Sequence, residues 1–71
     1  MVEVFKTNVK EPRHAFLLIT QIYQIFEYEA NFDLDDCDKI LRVSCNSKRI
    51  EPELLITLLK KSGFKAEILP D

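Results

Sequence analysis

Two prolines, Pro12 and Pro52, each open a stretch of helical periodicity, and segments that alternate like strands surround both. Proline suits the first helical position because its missing amide proton has no intrahelical partner there. From Pro12, residues Ala15, Leu18, Ile19, Ile22, Ile25 and Phe26 recur at helical spacing. At 3.6 residues per turn they form a stripe about 120° wide, enough to lie on a sheet. From Pro52, Leu54, Leu55, Leu58 and Leu59 supply a second stripe, Glu53 stands in the first turn and Lys60 and Lys61 in the last. That charge order matches the helix dipole. Gly63, the only glycine, follows as the cap.

The segments between the helices read as strands. Met1 to Val9 carries apolar residues on both sides, Val2 and Val4 on one and Met1 and Phe5 on the other, which suits a central strand and leaves open which side meets the helices. Ala30, Phe32 and Leu34 alternate with Asn31, Asp33 and Asp35. After the turn-forming run Asp35 to Asp38, Leu41, Val43 and Cys45 alternate with Ile40, Arg42 and Ser44, so the two segments read as a hairpin. Phe64, Ala66 and Ile68 mark a last short strand ended by Pro70. The order strand–helix–strand–strand–helix–strand predicts an α+β, ferredoxin-like βαββαβ sandwich: a four-stranded antiparallel sheet with both helices on one face. Residues 1–71 are expected to form a single domain, near the lower size limit for a self-sufficient core. In this topology the turn before the first helix, the Asp35–Asp38 hairpin and the Gly63 turn share one end, and Cys45 belongs to the other. The hairpin joins an outer pair of strands, which holds its tip away from the helix start.

Composition removes several classes of function. Apolar residues make up 46% of the chain, too many for a disordered one. The net charge of −2 argues against a nucleic-acid backbone binder. The run Ala15 to Ile19 is far short of the ~20 apolar residues that span a bilayer, so membrane insertion is not expected. Nothing resembles a secretory leader. Cys37 and Cys45 flank a strand that separates them beyond bridging distance, so both are expected to be reduced in a cytoplasmic protein. Asp33 to Ser44 fails as a calcium loop: its sixth position is Asp38 and its twelfth Ser44, where a glycine and a glutamate are required. Ile40 to Ser44 lacks the aromatics of an RNA-recognition strand. No nucleophile and base stand at suggestive spacing, so the chain is not expected to be an enzyme.

The chain resembles the heavy-metal-associated domains of copper chaperones and metal-transporting ATPases. The resemblance rests on the hydrophobic pattern and on Leu58-Leu59-Lys60-Lys61-Ser62-Gly63-Phe64-Lys65-Ala66, similar to the family's closing helix–glycine–aromatic–x–alanine segment. The family's Met-x-Cys-x-x-Cys turn falls on Val9 to His14, with Glu11 and His14 at the cysteine positions. Copper(I) transfer needs two soft thiolates, which are absent. The resemblance therefore implies a non-enzymatic binding or regulatory domain beside metal homeostasis, with no cofactor expected. The alternative is a site for zinc or another borderline divalent metal, built from Glu11 and His14 with Cys37 from the hairpin tip. Phe16 and Tyr23 lie side by side on the flank of the first helix outside its core stripe, Leu17 stands on its polar face, and Ile56 is similarly offset on the second helix. Such residues either widen the core, the more common case, or form an apolar patch for a partner, with Phe16, Leu17 and Tyr23 the candidate partner surface. The partner is a protein or, through the open sheet face, a second copy of the chain.

Overall fold

The apolar alternation of the strands and the two proline-opened stripes give one layer of sheet and one of helices in the computed structural model, which describes residues 1–70. The elements are β1 (Val2–Thr7), α1 (Pro12–Phe26), β2 (Glu29–Asp33), β3 (Ile40–Ser44), α2 (Pro52–Lys61) and β4 (Ala66–Ile68). They form a single four-stranded antiparallel sheet in the order β2-β3-β1-β4, with β2 and β4 at its edges. This is the ferredoxin-like α+β topology.

The register decides which face of β1 is buried. Phe5 stands opposite Leu41, and Phe32 stands opposite the same Leu41 from the other side, so these residues share the face under the helices. Phe5, Leu41 and Val43 are fully buried there, together with Ile22 of α1 and Leu55 and Leu59 of α2. Burying each such side chain contributes roughly 1.5–3 kcal/mol. Val2 and Val4 fall on the opposite, open face, among Lys6, Asn31, Arg42 and Glu67. That face mixes charge with small apolar groups.

Three expectations about the core change. β1 ends at Thr7, and Val9 is buried from the loop that follows. Ile25 is 59% exposed and Leu54 47% exposed, although both lie on the expected stripes. Ile25 sits at the edge of the α1 stripe, beyond the arc that Ala15, Leu18 and Ile22 bury. The core gains Tyr28 and Ile50 instead. The Tyr28 hydroxyl donates to the Arg49 carbonyl (3.0 Å) and accepts the Glu51 amide (3.2 Å). It therefore holds the approach to α2 at a helix start with no side-chain cap of its own.

The two helices end differently. At α2 the Gly63 amide bonds the Lys60 carbonyl (3.0 Å) and the Phe64 amide bonds the Leu59 carbonyl (2.8 Å). Gly63 has φ +94, and the paired bonds are the Schellman pattern. At α1 the left-handed position falls on Glu27 (φ 60), whose amide bonds the Tyr23 carbonyl at 2.8 Å.

Candidate functional site

The end of the domain that holds the β1–α1 turn is tied together by backbone chemistry. The Thr7 amide donates to the Asp38 carbonyl (3.0 Å), while the buried Thr7 hydroxyl donates to the Lys39 carbonyl (2.6 Å) and accepts the Val9 amide (3.2 Å). The Asn8 amide donates to the Lys65 carbonyl (3.3 Å), and the Lys65 amide returns to Asn8 Oδ1 (2.8 Å). The three turns expected at this end do meet there. β3 pairs directly with β1 and brings Asp38 and Lys39 against Thr7, at the end of β1. Cys45 stands at the other end, where its amide bonds the Met1 carbonyl at 3.0 Å. Both cysteines are free, Cys37 exposed and Cys45 buried in the core.

Glu11, His14 and Cys37 occupy separate settings. Glu11 is the N-cap residue of α1 without a side-chain cap bond, and its carboxylate lies 3.9 Å from the exposed Arg13 guanidinium. The half-buried His14 ring lies 5.4 Å from the Phe64 ring at 53°, a tilted aromatic contact across to the turn after α2. Among the described residues, the only three potential ligands whose donor atoms come within 4.8 Å of one another are Asp36, Cys37 and Asp38. They belong to the hairpin turn itself, in which the Asp38 amide bonds Asp36 Oδ1 (2.9 Å) and the Lys39 amide bonds the Asp36 carbonyl (3.0 Å). That arrangement is turn chemistry.

Cys45 has a polar setting at the rim of the core. Burial pushes its thiol pKa up, but hydrogen bonding from the Ser47 and Lys48 backbone and the Ser47 hydroxyl, with the Lys48 charge, outweighs this and holds it below the ordinary thiol value. The sulfur lies 3.8 Å from Ser47 Oγ.

The candidate surface residues do stand out. Phe16 is 68% exposed, Leu17 57% and Tyr23 58%. Ile56 and Leu58 of α2, by contrast, pack against the core. Helical rotation divides the trio between two flanks of α1. Tyr23, and Phe16 two turns before it, lie on the flank above β2. There Ile19, Thr20, Tyr23 and Gln24 line one wall of a groove of 550 Å³, and Tyr28, Glu29 and Ala30 line the other. Leu17 lies on the flank toward α2, beside His14, Gln21 and Phe64 in a smaller groove of 310 Å³. Between His14 and Phe26 the helix carries no Asp, Glu, Lys or Arg. That charge-free run is a sequence signal of an unusual outer face, on which Ile25 is exposed as well.

No family model, curated protein or solved structure matches the chain. Its class rests on its own topology, that of a small ferredoxin-like α+β domain. Among the described residues no helix is long and apolar enough to cross a membrane.

Proposed function

We propose that this is a non-enzymatic binding or regulatory domain that recognises a protein partner through the outer face of α1. The observation that carries the reading is the exposure of Phe16, Leu17 and Tyr23 on a helix with no charged side chain from His14 to Phe26. Surface helices of monomers ordinarily carry charge on the solvent side, and exposed apolar groups gathered beside a groove, as Phe16 and Tyr23 are on the flank above β2, mark interaction sites. A kinship with heavy-metal-associated domains that have lost the thiolate pair, and a place beside metal homeostasis, are part of the proposal. They rest on the resemblance of the closing segment, whose Gly63 turn follows α2, to that family's. The free thiols at opposite ends of the domain favour a reducing, cytoplasmic setting. The zinc reading calls for Glu11, His14 and Cys37 to converge, and no observed contact favours it.

Photo-cross-linking in the host cell tests the reading. A benzophenone side chain is placed in turn at Phe16, at Tyr23, and at Arg42 and Glu67 on the open sheet face. One defined adduct from the α1 positions, absent from the sheet positions, is the expected result. Adducts of equal yield from both faces, or none from α1, overturn it.

A further inference from the structure

The α1 flank that carries Phe16 and Tyr23 borders an edge strand of opposite character. β2 pairs with β3 on one side only, so its outer edge is left open along five residues, about 17 Å of strand. The groove of 550 Å³ runs between that edge and the apolar flank of α1. Charge gathers here. Glu27, Glu29, Asp33, Asp35, Asp36 and Asp38 supply half of the chain's 12 carboxylates within residues 27–38, a stretch that contains no Lys or Arg. Glu27 and Asp38 lie 3.9 and 3.8 Å from Lys48 and Lys6, in exposed pairs worth little. Glu29 and Asp33 have no cation within 4.0 Å among the described residues, and Arg42, opposite Asn31 on β3, pairs with neither.

We propose that β2 accepts an extended, basic segment of a partner protein as a fifth strand, with the partner's apolar side chains entering the α1–β2 groove. The proposal rests on the docking reading above and names the chemistry of what docks. Alternation along β2 places Ala30 and Phe32 on the helix side of the sheet and Glu29, Asn31 and Asp33 on the open side. A strand added to this edge has the same alternation. Its side chains toward the helices meet Ile19, Tyr23 and Tyr28, and those toward the open face meet Glu29 and Asp33. The matching sequence alternates apolar and basic residues. The charge also disfavours the simplest competitor. Two copies paired antiparallel through β2 about Asn31 bring Glu29 of each opposite Asp33 of the other, and like charges directly opposite destabilise a ladder. The edge is thus guarded against itself and open to a cationic strand.

The test uses a synthetic heptapeptide of alternating lysine and valine, followed by two-dimensional amide NMR and hydrogen exchange of the full chain. The expected result is saturable shifts confined to β2, Ile19, Thr20 and Tyr23, with slowed exchange of β2 amides. Affinity falls with added salt, and by about tenfold or more in the Glu29→Lys, Asp33→Lys double variant. A peptide with proline at its centre loses a ladder donor and binds more weakly. No shifts, shifts elsewhere, or equal binding of the proline peptide overturn the added strand. Concentration-dependent shifts at β2 without peptide, with dimer in sedimentation, overturn it in favour of a second copy. If the peptide fails while the Phe16 and Tyr23 cross-links persist, the strand falls and the docking face stands. If both fail, both readings fall.

Discussion

The two helices lie side by side on one sheet yet meet water in different ways. α2 carries Glu53 in its first turn and Lys60 and Lys61 in its last, and it ends on glycine in a Schellman turn. α1 has no acid in its first turn, no base in its last, and ends on a glutamate held left-handed. Both anchor through fully buried residues, Ile22 in one and Leu55 and Leu59 in the other. Only α1 leaves four large apolar side chains exposed, against Leu54 alone on α2. α2 is stabilised by its own ends as well as by packing. α1 is held by packing, and its outer side carries the exposed apolar groups of the proposed docking face.

The comparison breaks most visibly in the core. Ile22→Ala and Leu59→Ala should each cost about 2–5 kcal/mol in urea unfolding, a large share of the stability of a domain this size. A much smaller loss for Ile22→Ala would mean that α1 is not anchored as α2 is. The two C-termini come next. No atom lies within 4 Å of a Cβ added at Gly63, so Gly63→Ala should cost only the left-handed backbone strain, about 1–2 kcal/mol. Glu27→Gly, relieving the same kind of strain at α1, should stabilise by up to about 1 kcal/mol. Opposite signs in thermal unfolding would sharpen the contrast, and equal signs would remove it.

A smaller effect separates the approach to α2 from that to α1. Cys45, just ahead of the turn leading to α2, has a folded pKa below the thiol value of 9.0. Between the two values the unfolded chain binds more protons than the folded one, so this group's contribution rises with pH toward 9.0 and disappears as pH falls through the folded value. The stability difference between the native chain and Cys45→Ser should therefore widen as pH rises from the folded value toward 9.0 in denaturant titrations, and a flat difference would count against the polar setting of the thiol. The smallest effect is expected at the proposed docking face. Phe16→Ser and Tyr23→Ser should change unfolding stability by no more than about 0.5 kcal/mol. A loss comparable to that of Ile22→Ala would show that these side chains serve the fold.

Much of the domain was legible in the chain because its signals are local. Pro12 and Pro52 mark helix starts by missing an amide, Gly63 marks a stop by lacking a Cβ, and strand alternation reports one buried face. Those features set the order of elements, and with it the ends at which the Asp35–Asp38 turn and Cys45 fall. The offset of Phe16, Leu17 and Tyr23 from the core stripe was legible too, from 100° per residue, but the structure decided that they stay exposed rather than widen the core. Tertiary structure decided what periodicity does not contain. The buried face of β1 depended on pairing Phe5 with Leu41, and the exposure of Ile25 and Leu54 on how wide an arc the neighbouring elements cover. Tyr28 entered the core through a hydroxyl that bonds backbone 21 and 23 positions away. Glu11, His14 and Cys37 were legible as ligands by residue type alone, while the contacts Glu11 makes with Arg13 and His14 with Phe64 were not. The acidic edge beside the α1 groove arises the same way: only the strand order β2-β3-β1-β4 leaves the outer edge of β2 open next to the charge-free run of α1.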